Sequence, residues 1–297
     1  MKLALSELTA DGEVIGMDFS DDGKLLAVSL GAGADNPRLQ IFEVAEERVI
    51  YTHQPKLHRG CGAAFAGGKL WFSVYNGRDY EVFTRPPRGG KATRIASYPH
   101  EGHEGVPPVV RDPAGSRVAI CANFVDVRDA RAGTSIERIE ALHENQQVTA
   151  AFSSDGEQVF LWGVVPARTI LHDLTIGDDL GAWPTPYHAG EQMTVSGDRW
   201  LGQVGQMCYG VSVVDTTTGA PALTDVLSIG RHGAHIGFVG DTMITRHGGI
   251  TAYEIGTGKE LARADVGGGR TTAAASCPGA KRVGFAVARQ IVVVDVE

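Results

Sequence analysis

Cysteine is scarce in this chain of 297 residues. Cys61, Cys121, Cys208 and Cys277 lie far apart with no CxxC spacing, so neither a disulfide framework nor a thiolate zinc site is indicated, and a reducing cytoplasm is the expected compartment. No stretch approaches the roughly 18 apolar residues of a membrane span. The opening Met1-Lys2-Leu3-Ala4-Leu5 has the look of a signal-peptide start, yet Ser6, Glu7, Asp11 and Glu13 interrupt it before a hydrophobic region forms. Positive charge is in deficit, with 27 Lys and Arg against 35 Asp and Glu and a formal net charge of -8; that excess opposes attraction to phosphate backbones and argues against nucleic acid as a partner. Long amphipathic helical patterns are missing. So are a Gly-x-Ser-x-Gly elbow, a phosphate-cradling glycine loop and a His-Glu-x-x-His helix.

What is present is repetition. An apolar run ends in a Gly-bearing turn, a second run follows, and a third closes at Glu43, Thr84, Asp129, Asp173, Asp215, Glu254 and Asp295, spaced 39 to 45 residues apart. A period of about 40 to 45 residues holding four short strands is the mark of a β-propeller blade, so the chain reads as all-β: seven four-stranded antiparallel blades in a ring. The 39 glycines suit a fold of many hairpins. Phe19-Ser-Asp-Asp-Gly23 returns as Phe152-Ser-Ser-Asp-Gly156, and more loosely as Arg111-Asp-Pro-Ala-Gly115 and Ala275-Ser-Cys-Pro-Gly279, each reversing a first strand into a second. Asp129–Gly133, Asp215–Gly219 and Glu254–Gly258 supply a turn after the third strand, the acid accepting backbone hydrogen bonds and the Gly closing it. The blades are expected near 14–55, 61–99, 106–142, 148–186, 192–229, 235–266 and 271–297, in one domain. The last blade has only three strands, so Lys2 to Leu8 is expected to supply its fourth and close the ring.

The Phe-Ser-x-Asp-Gly turns, the apolar-Asp/Glu ends of the third strands and the His-bearing loops between blades resemble WD-repeat propellers over essentially the whole chain, most clearly in the first, fourth and sixth repeats. The Trp-Asp dipeptide that names the family occurs nowhere. The resemblance implies a scaffold that displays loops to protein partners, commonly without catalysis and without a cofactor.

Candidate site residues follow from that plan. In a propeller the inter-blade loops surround one mouth of the channel, and here they carry His58, His100, His103, His143, His188, His232 and His235. The resemblance assigns His143 a structural place in its blade. His232, His235 and His247, clustered in sequence, are the metal candidates, since imidazole is a common ligand, although they lack the spacing of a dedicated zinc motif. Asp18 to Gly23 superficially suggests a calcium loop, but Ser29 stands where the bidentate Glu is needed. Arg59, Arg78, Tyr80, Trp183, Tyr187, Arg231, Arg246 and Arg270 lie in or beside loops and are the partner-binding candidates, because Arg, Tyr and Trp dominate interaction hot spots. Packing between blades is the competing reading for Trp183 and Tyr187, and core positions are expected for Trp71, Trp162 and Trp200. The expected function is a non-catalytic interaction scaffold within a larger assembly; a metal-dependent hydrolase or lactonase-like enzyme with its site at the channel mouth is the alternative.

Overall fold

A computed structural model of the chain describes residues 1–31, 38–53, 62–99, 108–122, 124–140, 148–163, 168–184, 190–196, 199–205, 211–224, 235–246 and 248–297. After β1 (Leu3–Thr9), blade 1 is β2 (Val14–Phe19), β3 (Leu25–Leu30), β4 (Arg38–Glu43) and β5 (Arg48–His53). Blade 2 is β6 (Gly62–Ala66), β7 (Lys69–Tyr75), β8 (Asp79–Arg85) and β9 (Thr93–Pro99). Blade 3 is β10 (Val109–Arg111), β11 (Arg117–Cys121), β12 (Phe124–Asp129) and β13 (Ser135–Glu140). Blade 4 is β14 (Thr149–Phe152), β15 (Gln158–Gly163), β16 (Arg168–Asp173) and β17 (Asp178–Pro184). Blade 5 is β18 (Gly190–Ser196), β19 (Trp200–Gly205), β20 (Val211–Asp215) and β21 (Pro221–Thr224). Blade 6 is β22 (His235–Val239), β23 (Thr242–Arg246), β24 (Ile250–Glu254) and β25 (Glu260–Ala264). Blade 7 is β26 (Thr271–Cys277), β27 (Arg282–Val287) and β28 (Gln290–Val296), completed by β1. Every blade is a four-stranded antiparallel sheet, and the first strands neighbour one another around a closed circuit, β2-β6-β10-β14-β18-β22-β26 and back to β2. No helix of the described residues is long and apolar enough to cross a membrane.

Seven buried apolar clusters hold the ring, one at each blade interface. The reason is strand alternation applied to a sheet covered on both sides. In β11, Val118 and Ile120 face blade 2, while Ala119 and Cys121 face blade 4. Second strands are therefore buried on both faces and mostly apolar, as in β3 and β11. Trp71, Trp162 and Trp200 are buried as expected.

The repeated turns form as their residues dictate. In blade 1 the Ser20 hydroxyl donates to Asp22 Oδ1 at 2.7 Å and accepts from Leu25 N at 2.9 Å, while Gly23 takes φ 67°. In blade 4 Ser153, Asp155 and Gln158 repeat those bonds at 2.6 and 3.0 Å, with Gly156 at φ 72°. These bonds make Asp18 to Gly23 a hairpin reversal. After the third strand, Gly133, Gly177, Gly219 and Gly258 each donate back to the carbonyl of the closing acid at 2.8–2.9 Å. All four have φ between 68° and 78°, a left-handed conformation that costs other residues about 1 kcal/mol or more. The Asp173–Gly177 turn is a fourth, beside the three at Asp129, Asp215 and Glu254.

Closure is by main chain. β1 pairs with β28 from Leu3↔Val296 to Thr9↔Gln290, and Lys2 and Glu297 exchange backbone bonds at 3.0 and 3.1 Å.

Candidate functional site

The first strands line a central cavity of about 380 Å³, walled by Met17, Val109, Phe152, Met193 and Ala274 among others. Several of its polar groups are joined to a neighbouring blade. Asp18 Oδ2 accepts from Phe65 N at 2.7 Å, tying blade 1 to blade 2. Gln192 accepts from Ile236 N at 3.0 Å and donates to Ile236 O at 2.7 Å, tying blade 5 to blade 6. Ser276 Oγ accepts from Phe238 N at 3.0 Å, tying blade 7 to blade 6. Such bonds compensate for taking backbone N–H groups out of water.

Asp18, Asp21, Arg111, Asp112 and Cys277 gather where the first strands end, opposite the mouth that receives the inter-blade loops. Blade 2 reverses in two residues, Gly67-Gly68, and over that short turn blades 1 and 3 meet directly. The Arg111 guanidinium pairs with Asp21 through Nη1 and lies 3.4 Å from Asp18 Oδ2 through Nε. Asp112 is consumed by its own turn, accepting from Arg117 N at 2.9 Å and Ser116 Oγ at 2.6 Å.

Burial raises the Asp18 pKa to about 6 from an ordinary 3.8, against the opposing pull of Arg111 and the Phe65 N–H. Between those two values the folded chain keeps a proton that the unfolded chain has released, so this group lowers stability as pH rises from about 3.8 to about 6. Asp18→Asn retains an acceptor for Phe65 N and should flatten that part of a melting-temperature profile relative to wild type. Equal slopes in both proteins would remove Asp18 as the source.

No family model matches the chain, and no curated protein matches it either. The seven-bladed ring rests on the sequence repeat and on the structure.

The residues singled out from sequence scatter. Arg59, Tyr187, Arg231, His232 and His247 lie outside the described residues, as do His58, His100, His103, His143 and His188. Arg78 and Arg270 are exposed. Tyr80 and Arg246, expected at the surface, are instead 1% and 3% exposed. Tyr80 is the second residue of β8, where alternation turns its ring inward to Tyr75, 5.6 Å between centroids. Arg246 ends β23 and donates to Gly267 O at 2.6 Å and Gly269 O at 3.3 Å, fastening the glycine-rich link between blades 6 and 7. Burial lowers its pKa. Trp183 packs against Phe160, 6.1 Å between ring centroids, in the cluster joining blades 4 and 5. His235 is buried, opposite Arg246 in register. Among the described residues no group of three His, Cys, Asp or Glu is arranged to hold a metal ion.

Two polar clusters escaped the sequence reading because each draws on distant strands. His172 Nε2 lies 2.8 Å from Glu137 of blade 3 and its Nδ1 2.8 Å from Asp179 of blade 4. Burial disfavours the imidazolium, but the two carboxylates outweigh it and the His172 pKa is raised. Between blades 2 and 3, Asp126 accepts from Tyr98, Arg128 and Ser135.

Proposed function

We propose that the chain is a non-catalytic interaction scaffold, WD-repeat-like in plan, that presents its inter-blade loops to a protein partner as one subunit of a larger assembly. The observation that carries this reading is the bonding of the channel wall: Asp18, Gln192 and Ser276 join blade to blade, which makes the cavity lining a frame. A rigid frame lets loops bind with little further ordering of backbone. The chain's connections are unequal in the same sense. The inter-blade segments 54–61, 100–108, 141–148 and 225–234 contrast with first-to-second turns as short as 67–68 and 240–241. A cytoplasmic setting is part of the proposal, supported by Cys121 and Cys277 being free and buried, with burial pushing the Cys121 thiol up to about 12.

The test is affinity purification of the full chain. A polypeptide should be recovered in stoichiometric amount with wild type and be reduced with Arg78→Ala or Arg231→Ala at unchanged melting temperature. Wild type recovered alone would sink the scaffold reading, and equal recovery with both variants would reject that face. The enzyme alternative is favoured by one observation, the Asp18 carboxyl with its pKa near neutrality beside a cavity of about 380 Å³. Metal that stays with the purified protein through dialysis would turn the choice toward it.

A further inference from the structure

His172 stands on β16 with both ring nitrogens at carboxylates, Nε2 2.8 Å from Glu137 Oε1 and Nδ1 2.8 Å from Asp179 Oδ1. Strand alternation places it there. His172 shares a face of blade 4 with Ile170, which packs in the cluster between blades 3 and 4, so the ring looks across that seam to β13, the outer strand of blade 3. Asp179 lies opposite His172 in the register of β16 with β17, and the next pair, Leu171↔Gly181, passes over Leu180 as a bulge. The turn before β17 runs beside the same Glu137 carboxylate, since a side-chain carbon at Gly177 would lie 3.6 Å from its Oε1. One buried ring, 6% exposed, thus joins two outer strands next to the bulge of one of them.

Proton arithmetic makes this contact conditional. A neutral imidazole has one N–H and the imidazolium has two. Two carboxylates at hydrogen-bond distance need both, so the arrangement fits the charged ring; with one proton gone, a nitrogen lone pair faces a carboxylate oxygen. The charged groups acting on the ring are Asp179 from β17 and Glu137 from β13. Val159, opposite it in β15, is apolar, and Asp173, the next residue of β16, is engaged by Thr175. Burial works against the charged ring, the two carboxylates overcome it, and its pKa lies above the ordinary 6.5. The two acceptors are not equivalent, the Glu137 side chain being 22% exposed and that of Asp179 52%. Leaving the more buried one without a donor costs more, so a neutral ring keeps its proton on Nε2 toward Glu137, and water takes over Asp179.

We propose that His172 is a proton-operated latch on the outer rim of blade 4: the imidazolium ties Asp179, and with it the start of β17, to the seam with blade 3, and release of the Nδ1 proton lets β17 loosen at its bulge. Stability from the latch is complete below the ordinary 6.5 and is lost as pH rises through the higher folded value. That window lies above the Asp18 interval, which ends at about 6, so the two groups are read separately. The latch is independent of the inter-blade loops and does not rest on their role.

Two measurements on the full chain test it. The first is NMR titration of the histidine rings, with His172 assigned by the signal missing in His172→Gln. The second is backbone hydrogen exchange about one pH unit below and about one above the His172 midpoint, corrected for the intrinsic rate. The ring should titrate above 6.5, and Asp179→Asn and Glu137→Gln should each lower its midpoint. Amides of β17 should exchange roughly threefold faster or more at the higher pH, while those of β9, on the rim of blade 2, stay unchanged. In His172→Gln the exchange of β17 should be equal at the two values. Should that variant melt early, Asp179→Asn replaces it, and its β17 amides should already exchange at the faster rate at the lower pH. The proposal is overturned by a midpoint at or below 6.5, by equal exchange of β17 in wild type at the two values, by a rise that persists in His172→Gln, or by a rise in β13 in place of β17, which would make Glu137 the released partner.

Discussion

Removal of residues 1–10 should leave the chain without a cooperative melting transition. β1 forms the outer edge of blade 7, and its loss strips the partner from seven residues of β28. Leu8 and Ala10, 2% and 3% exposed, sit in the cluster that joins blade 7 to blade 1 with Phe19, Phe42 and Ile291. Emptying the Leu8 site alone, as in Leu8→Ala, costs about 3 kcal/mol or more by the usual scale for large-to-small core changes. Loss of the ladder and of Ala10 adds to that, against a total of roughly 5–15 kcal/mol for an ordinary domain. Circular dichroism on heating and in urea decides the matter. A truncated chain melting within a few degrees of the intact one would show that the ring does not need its closing strand.

Asp126→Ala should be the most damaging single polar substitution, lowering stability by about 3–5 kcal/mol. The Asp126 side chain is 4% exposed, and its two oxygens serve three donors: Ser135 Oγ at 2.6 Å, Arg128 Nε at 2.8 Å and the Tyr98 hydroxyl. Burial and then the Asp126 carboxylate raise the Tyr98 pKa, so its hydroxyl keeps the proton it donates. Truncating Asp126 leaves Arg128, 13% exposed, as a largely buried cation whose remaining contacts are Gly133 O at 2.7 Å and the Tyr98 hydroxyl at 3.1 Å. Asp126→Asn keeps an acceptor and should lose less. Adding Arg128→Met to Asp126→Ala should recover part of the deficit, because a buried charge without its partner costs more than an apolar replacement. An unfolding free energy from urea titration within about 0.5 kcal/mol of wild type for Asp126→Ala would contradict this account.

The ring was legible because its causes are local. Phe-Ser-x-Asp-Gly carries its own hydrogen bonds, so Ser20 and Ser153 predict their hairpins without knowledge of the rest of the chain. The short last repeat predicted the closing strand by subtraction, and β1 pairs with β28 as expected. Residue type near a loop was a poorer guide. Tyr80 and Arg246 are in strands, and which face a strand residue takes depends on a phase that one position cannot reveal. The contacts between blades were illegible for a different reason. Asp18 meets Phe65 and Arg111, and His172 meets Glu137, across blades whose relative rotation no local pattern encodes. The bulge that exposes Leu180 likewise appears only when two strands are set in register.

The pairing of β1 with β28 also sets an order of events at the ribosome. β1 leaves the tunnel before any other strand of the ring, and its partner leaves last. At roughly 5–20 residues per second the early strand waits for tens of seconds with both edges bare. Ser6 and Glu7, and Lys2 just before the strand, give the waiting segment polar positions that discourage premature association with other nascent chains. Blades 1 to 6 can assemble during that interval, so the seam between blades 6, 7 and 1 becomes the final, chain-length-spanning step of folding, and the slowest to recover after unfolding.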